Sequence, residues 1–92
     1  MSVYRYQIKV FGRVQGVGYR YFCRSAVESL NITGWVRNVS DGTVELQIQG
    51  LENELTKLLS MIEKGPTFSR VDQVDRVQIP IHPDESSFEI KY

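Results

Sequence analysis

One cysteine, one histidine and one tryptophan are all that this chain of 92 residues carries of those types. A lone cysteine, Cys23, excludes an internal disulfide. A lone histidine, His82, sits between Ile81 and Pro83. It has no ligand partners in the sequence and reads as a loop residue. The carboxylates Asp72, Asp75, Asp84 and Glu85 lack the spacing of a metal loop, so they do not read as a metal site. No segment approaches the roughly 18 apolar residues of a membrane span. Arg5, Gln7 and Lys9 interrupt any signal-like run at the start. These absences point to a reducing, cytoplasmic setting with no membrane partner. Net charge is absent as well: 11 Lys and Arg balance 11 Asp and Glu. That argues against nucleic acid as the main partner, because phosphate-backbone binding needs clustered positive charge.

The balance is uneven along the chain. No acidic residue occurs before Glu28, whereas Arg5, Lys9, Arg13, Arg20 and Arg24 all do. Such a stretch is either one solvated sheet face or a local positive field that attracts a small anion.

The hydrophobic pattern gives the elements. Tyr4 to Val10 alternates apolar with polar, the signature of a half-buried strand. From about Tyr21 to Leu30, residues Phe22, Cys23, Ala26, Val27 and Leu30 share one helical face, and Asn31 can end it. Cys23 thus reads as a small core residue. Trp35-Val36-Arg37 and Thr43 to Gln49 read as strands joined by an Asp41-Gly42 hairpin. Glu52 and Glu54 open a second helix with negative charge at its positive end. Leu51, Leu55, Leu58, Leu59 and Ile62 line its buried face, and Lys64, Gly65 and Pro66 close it. Val77, Ile79 and Ile81 form a fourth alternating strand, with Pro80 at an edge or at the strand's end. Phe88, Ile90 and Tyr92 make a short last strand.

The order predicts an α+β, ferredoxin-like βαββαβ sandwich with a short extra C-terminal strand. Its sheet is mostly antiparallel, with both helices on one face. Arg5, Gln7, Lys9, Glu45, Gln47 and Gln49 are expected on the other, partly solvated face. Trp35 is expected in the core or as a site wall, and Tyr4, Tyr6, Phe11 and Tyr92 as strand packing. A single domain over residues 1–92 is expected, as a monomer with a managed sheet edge.

The stretch GRVQGVGYR, Gly12 to Arg20, is longer than a turn requires. It joins the first strand to the first helix, where unpaired N–H groups and a partial positive charge converge. Gly16 and Gly18 allow successive amides to turn inward as an anion nest. Arg20 can add two parallel hydrogen bonds to one phosphate. The competing reading is a loop rich in glycine only to pass close to another element. Known phosphate loops do not fit by spacing. No Gly-Lys pair occurs, Tyr21 stands where a dinucleotide loop needs glycine, and Ser29 where a cysteine phosphatase needs arginine.

GRVQGVGYR followed by GWVRNVSDGTVELQIQG resembles the acylphosphatase family, and the resemblance covers essentially the whole chain. It implies hydrolysis of the carboxyl–phosphate bond of a small acyl phosphate, without metal or cofactor. It places the catalytic arginine at Arg20 and the catalytic asparagine at Asn38. It assigns the phosphate cradle to backbone N–H groups of Gln15, Gly16, Val17, Gly18, Tyr19 and Arg20. One departure is visible: Tyr19 stands where the family commonly has phenylalanine. Read from residues alone, Asn38 is either the amide that holds the attacking water or a turn residue before the hairpin.

Three other readings share this element order. An RNA-recognition domain needs stacking aromatics on its central strands, and Thr43 to Gln49 has none. A non-catalytic anion-binding regulatory module would use the same loop but show no turnover. A role beside a separate carbamoyl-transfer partner is a third. A small carboxyl phosphate, carbamoyl phosphate and a protein phosphoaspartate all offer the same terminal group.

Overall fold

A computed structural model describes residues 2–92. The elements are β1 (Val3–Arg13), α1 (Tyr19–Val27), β2 (Thr33–Asn38), β3 (Val44–Leu51), α2 (Glu52–Lys64), β4 (Arg70–Ile79) and β5 (Phe88–Lys91). They form one sheet in the order β4-β1-β3-β2-β5. All pairs are antiparallel except β2 with β5. This is the ferredoxin-like arrangement that the order of elements predicts, with β5 as the added strand.

Period-two alternation sends Ile8, Val10, Val36, Val44, Leu46 and Ile48 to one face. There they meet Tyr19, Cys23 and Val27 of α1 and Leu55, Leu58, Leu59 and Ile62 of α2 in a single core. Each fully buried aliphatic side chain contributes about 1.5–3 kcal/mol relative to exposure. Cys23 lies in this core, where burial pushes its thiol up to about 12. It is a packing residue rather than a nucleophile.

Three expectations are corrected. The fourth strand runs over Arg70–Ile79 rather than around Val77 to Ile81. Ile81 lies beyond it, and Val77 is 60% exposed. The reason is a bulge: Phe11 faces Gln73 and Gly12 faces Val71, leaving Asp72 as an extra residue. The apolar residues Val71 and Val74 are therefore three apart, and alternation is hidden just where the strand begins. The first helix begins at Tyr19 and ends at Val27, so Leu30 packs on the core from the loop that follows. The third correction concerns the far sheet face. Arg5 is only 3% exposed and Gln49 8%. Segment 80–87 crosses from β4 at one sheet edge to β5 at the other and covers them.

Strand direction decides where chemistry can gather. β1 and β2 both run antiparallel to β3, and β5 runs parallel to β2. The C-terminal ends of β1, β2 and β5 therefore share one end of the sheet. There the loop after β1 begins, α1 starts, and Asn38 and Lys91 end their strands.

Candidate active site

The loop between β1 and α1 separates two uses of glycine. At Gly12 (φ 129°) an added Cβ would lie 2.0 Å from the Arg70 carbonyl oxygen, so this glycine serves close backbone approach at the bulge. Gly16 (φ 72°) and Gly18 (φ 76°) are left-handed, yet an added Cβ at either would meet nothing within 4 Å. They are needed for their dihedrals, not for clearance, and the space beside them is open. Among the described residues, no amide from Gln15 to Tyr21 donates to a backbone acceptor in a turn or cap; the first to do so is Phe22, to Gly18 O at 2.9 Å. Gly18 is also the N-cap of α1, with no side-chain cap and no acidic residue in the first turn. The positive helix end is thus left uncompensated.

A cavity of about 170 Å³ opens at this point, lined by Val14, Gly16, Gly18, Tyr19, Arg20, Tyr21 and Asn38. Of the residues singled out in the sequence, Gly16, Gly18, Tyr19, Arg20 and Asn38 come together around it. Gln15 and Val17 do not line it. Val17 packs on the core. Arg20 is held from behind: Nη1 donates to Lys91 O at 3.3 Å, and the guanidinium carbon lies 4.8 Å from the centre of the Tyr92 ring. The Tyr92 hydroxyl in turn bonds that of Tyr21 at 3.1 Å. Its backstops are a carbonyl and an aromatic ring, neither of which cancels its charge. Of the other early cations, Arg5 pairs with Glu85 and Lys9 with Asp41. The positive field of the first 27 residues is therefore narrower than their count suggests.

Three positioning features had no clear sequence signal. The Gln15 side chain turns away from the cavity and donates from Nε2 to Val39 O (2.7 Å) and Thr43 O (2.8 Å). It latches the loop to the hairpin turn that follows Asn38. That turn is braced by Asp41, which accepts from the Thr43 hydroxyl and amide and pairs with Lys9; these contacts hold its carboxyl down at about 2. Tyr92, expected as strand packing, supports Arg20 instead. Tyr19 explains the departure at its position. Its ring is buried, and its hydroxyl donates to Ile62 O at 2.6 Å, satisfying a carbonyl in the last turn of α2. Burial, and then the neighbouring Cys23, push the phenol well above the ordinary tyrosine range, so it is a permanent donor. Tyr19→Phe is expected to cost about 1–2 kcal/mol through the lost bond and the orphaned carbonyl, read as a lower denaturant midpoint at unchanged slope.

A larger hollow lies elsewhere. It measures about 400 Å³, between α2 and β4, and is lined by Thr56, Leu59, Ser60, Glu63, Val74 and Arg76. It has no glycine nest, and the Glu63 carboxylate on its wall offsets the charge of Arg76. The smaller cavity has the donors. Among the described residues, no group of three or more His, Cys, Asp or Glu side chains comes together as metal ligands, and no helix is long and apolar enough to cross a membrane.

The architecture and sequence match known proteins. The acylphosphatase family profile matches residues 6–90. An acylphosphatase of Clostridium acetobutylicum is 48% identical over 96% of this chain and 97% of its own. One from Clostridium beijerinckii is 44% identical over 96% and 98%. The crystal structure of acylphosphatase from Bacillus subtilis superposes with a TM-score of 0.92 at 36% identity, covering 97% of this chain and 99% of that one. Similarity of this depth, sustained from the first strand to the last, makes the chain a member of the acylphosphatase family of hydrolases.

Proposed function

We propose that this protein hydrolyses small acyl phosphates to a carboxylate and inorganic phosphate, with the phosphoryl group seated in the loop cavity. The backbone amides from Gln15 to Arg20 and the α1 dipole cradle its oxygens. The Arg20 guanidinium grips two of them. Asn38 holds the attacking water in line. The observation that carries this reading is the run of amides without turn or cap acceptors around left-handed Gly16 and Gly18, beside a cavity that these glycines, Arg20 and Asn38 line.

The chemistry suits so spare a site. An acyl phosphate is a mixed anhydride whose leaving group is a carboxylate, stable near neutral pH without a strong general acid. The transition state is loose, and catalysis is mostly positioning and charge stabilisation. Phosphate oxygens need donors and the water needs orientation, and no carboxylate lines the cavity to repel the anion. On this reading the reaction is independent of metal.

The test is turnover of a synthetic acyl phosphate by the purified protein, with and without chelator. Hydrolysis unaffected by chelation is the expected result. Loss of activity on chelation overturns the metal-free mechanism. Phosphate binding without turnover turns the protein into an anion-binding module.

A further inference from the structure

We propose that the part-buried Arg5–Glu85 pair is a positioning device for the phosphate site: it straps segment 80–87 across the sheet, thereby fixes β5, and β5 fixes Arg20. The inference rests on the proposed role of Arg20.

The strap is polar and fully satisfied. Arg5 donates from Nη1 and Nη2 to the two carboxylate oxygens of Glu85 at 2.7 and 3.1 Å. Its remaining donors reach Gln47 Oε1 at 3.1 and 2.8 Å and Gln49 Oε1 at 3.1 Å. Gln49 also binds the strap itself, donating to His82 O at 3.0 Å and accepting from His82 N at 2.8 Å. Burial works against the Glu85 charge, but the hydrogen bonds and positive charge of Arg5 outweigh it and hold the carboxyl below the usual range. A network with every partner in place fixes one register of the segment, which apolar contact alone would not.

What the segment delivers is β5. This strand has four residues and a single neighbour, β2, in a parallel ladder. Short edge strands sit at the low-stability end of a fold. Its entry is tied by the Gly34 amide to Ser87 O at 3.0 Å, two residues from Glu85. Its exit supplies the Lys91 carbonyl and Tyr92 ring behind Arg20. The path from Arg5 to Arg20 is a continuous chain of named contacts.

Glu85→Gln keeps the shape and removes the charge. Expected are a rise of about three- to tenfold in both the inhibition constant of inorganic phosphate and KM for a synthetic acyl phosphate, and kcat within about twofold. Amides of residues 88–91 should exchange faster with solvent. Glu85→Asp, which retains the charge, should fall between this variant and the parent. Glu63→Gln, on the α2/β4 groove, should change neither constant. Faster β5 exchange with unchanged phosphate inhibition and KM makes the strap merely structural and overturns the proposal. If Glu85→Gln does not fold, the unsubstituted protein carries the test. Binding and docking are reciprocal, so saturating inorganic phosphate should slow exchange across residues 85–91; no slowing overturns the proposal. Arg20→Ala measured alongside separates the failures. Unchanged phosphate inhibition there removes Arg20 as the grip and the proposal with it. Weakened phosphate binding there, beside an unaffected Glu85→Gln, removes the strap alone.

Discussion

Arg20→Ala is expected to lower kcat/KM for a synthetic acyl phosphate by at least about 10²–10³-fold, the usual loss for one preorganised donor. It should also raise the inhibition constant of inorganic phosphate sharply. Two features make the loss larger than a typical hydrogen-bond deletion. The guanidinium carries charge as well as paired donors, and its backstops, Lys91 O and the Tyr92 ring, leave that charge for a ligand. Because it would grip the ground state and hold the transition state more tightly still, both KM and kcat should suffer. The fold should survive, since Arg20 is half-buried at the sheet's end and outside the core. Arg20→Lys restores a point charge without the planar fork and should recover only part of the loss. Full activity in Arg20→Ala would remove the central element of the mechanism.

The site is more legible in the sequence than the frame that supports it, for physical reasons. Gly16, Gly18 and Arg20 lie in one compact motif whose residue types follow from anion chemistry, whereas Asn38, which the residues alone leave open as a turn residue, is singled out by the family resemblance. The hairpin at Asp41-Gly42 and both helical faces are likewise local signals. β4 is only partly readable, because the bulge at Asp72 breaks the alternation that reveals a strand. Arg5 and Gln49 pattern as solvated residues. Only the crossing of segment 80–87 from β4 to β5 buries them. Gln15 shows the same limit. Its place in the loop is evident, but its side-chain partners Val39 and Thr43 are more than twenty residues away. Contacts made across the sheet have no periodicity in the chain.

Asn38→Ala is the sharper test, because it should separate turnover from binding. The expected result is a fall in kcat of about 10²–10³-fold, with the inhibition constant of inorganic phosphate within about twofold of the parent. The argument starts from position. Asn38 ends β2 opposite Val44, outside the loop whose amides are proposed to hold the phosphoryl oxygens, yet it lines the same cavity as Gly16, Gly18 and Arg20. The Gln15 latch and the Asp41 brace fix the turn that follows it. A neutral amide there offers both a donor and an acceptor to one water and adds no charge to repel the anion. Removing it disorders the nucleophile without touching the cradle. Asn38→Asp should lose turnover and weaken phosphate binding too, since a carboxylate would then face the dianion. Retained turnover in Asn38→Ala removes this residue from the chemistry. Lost phosphate affinity instead makes it part of the cradle and leaves the water to be oriented by the loop alone.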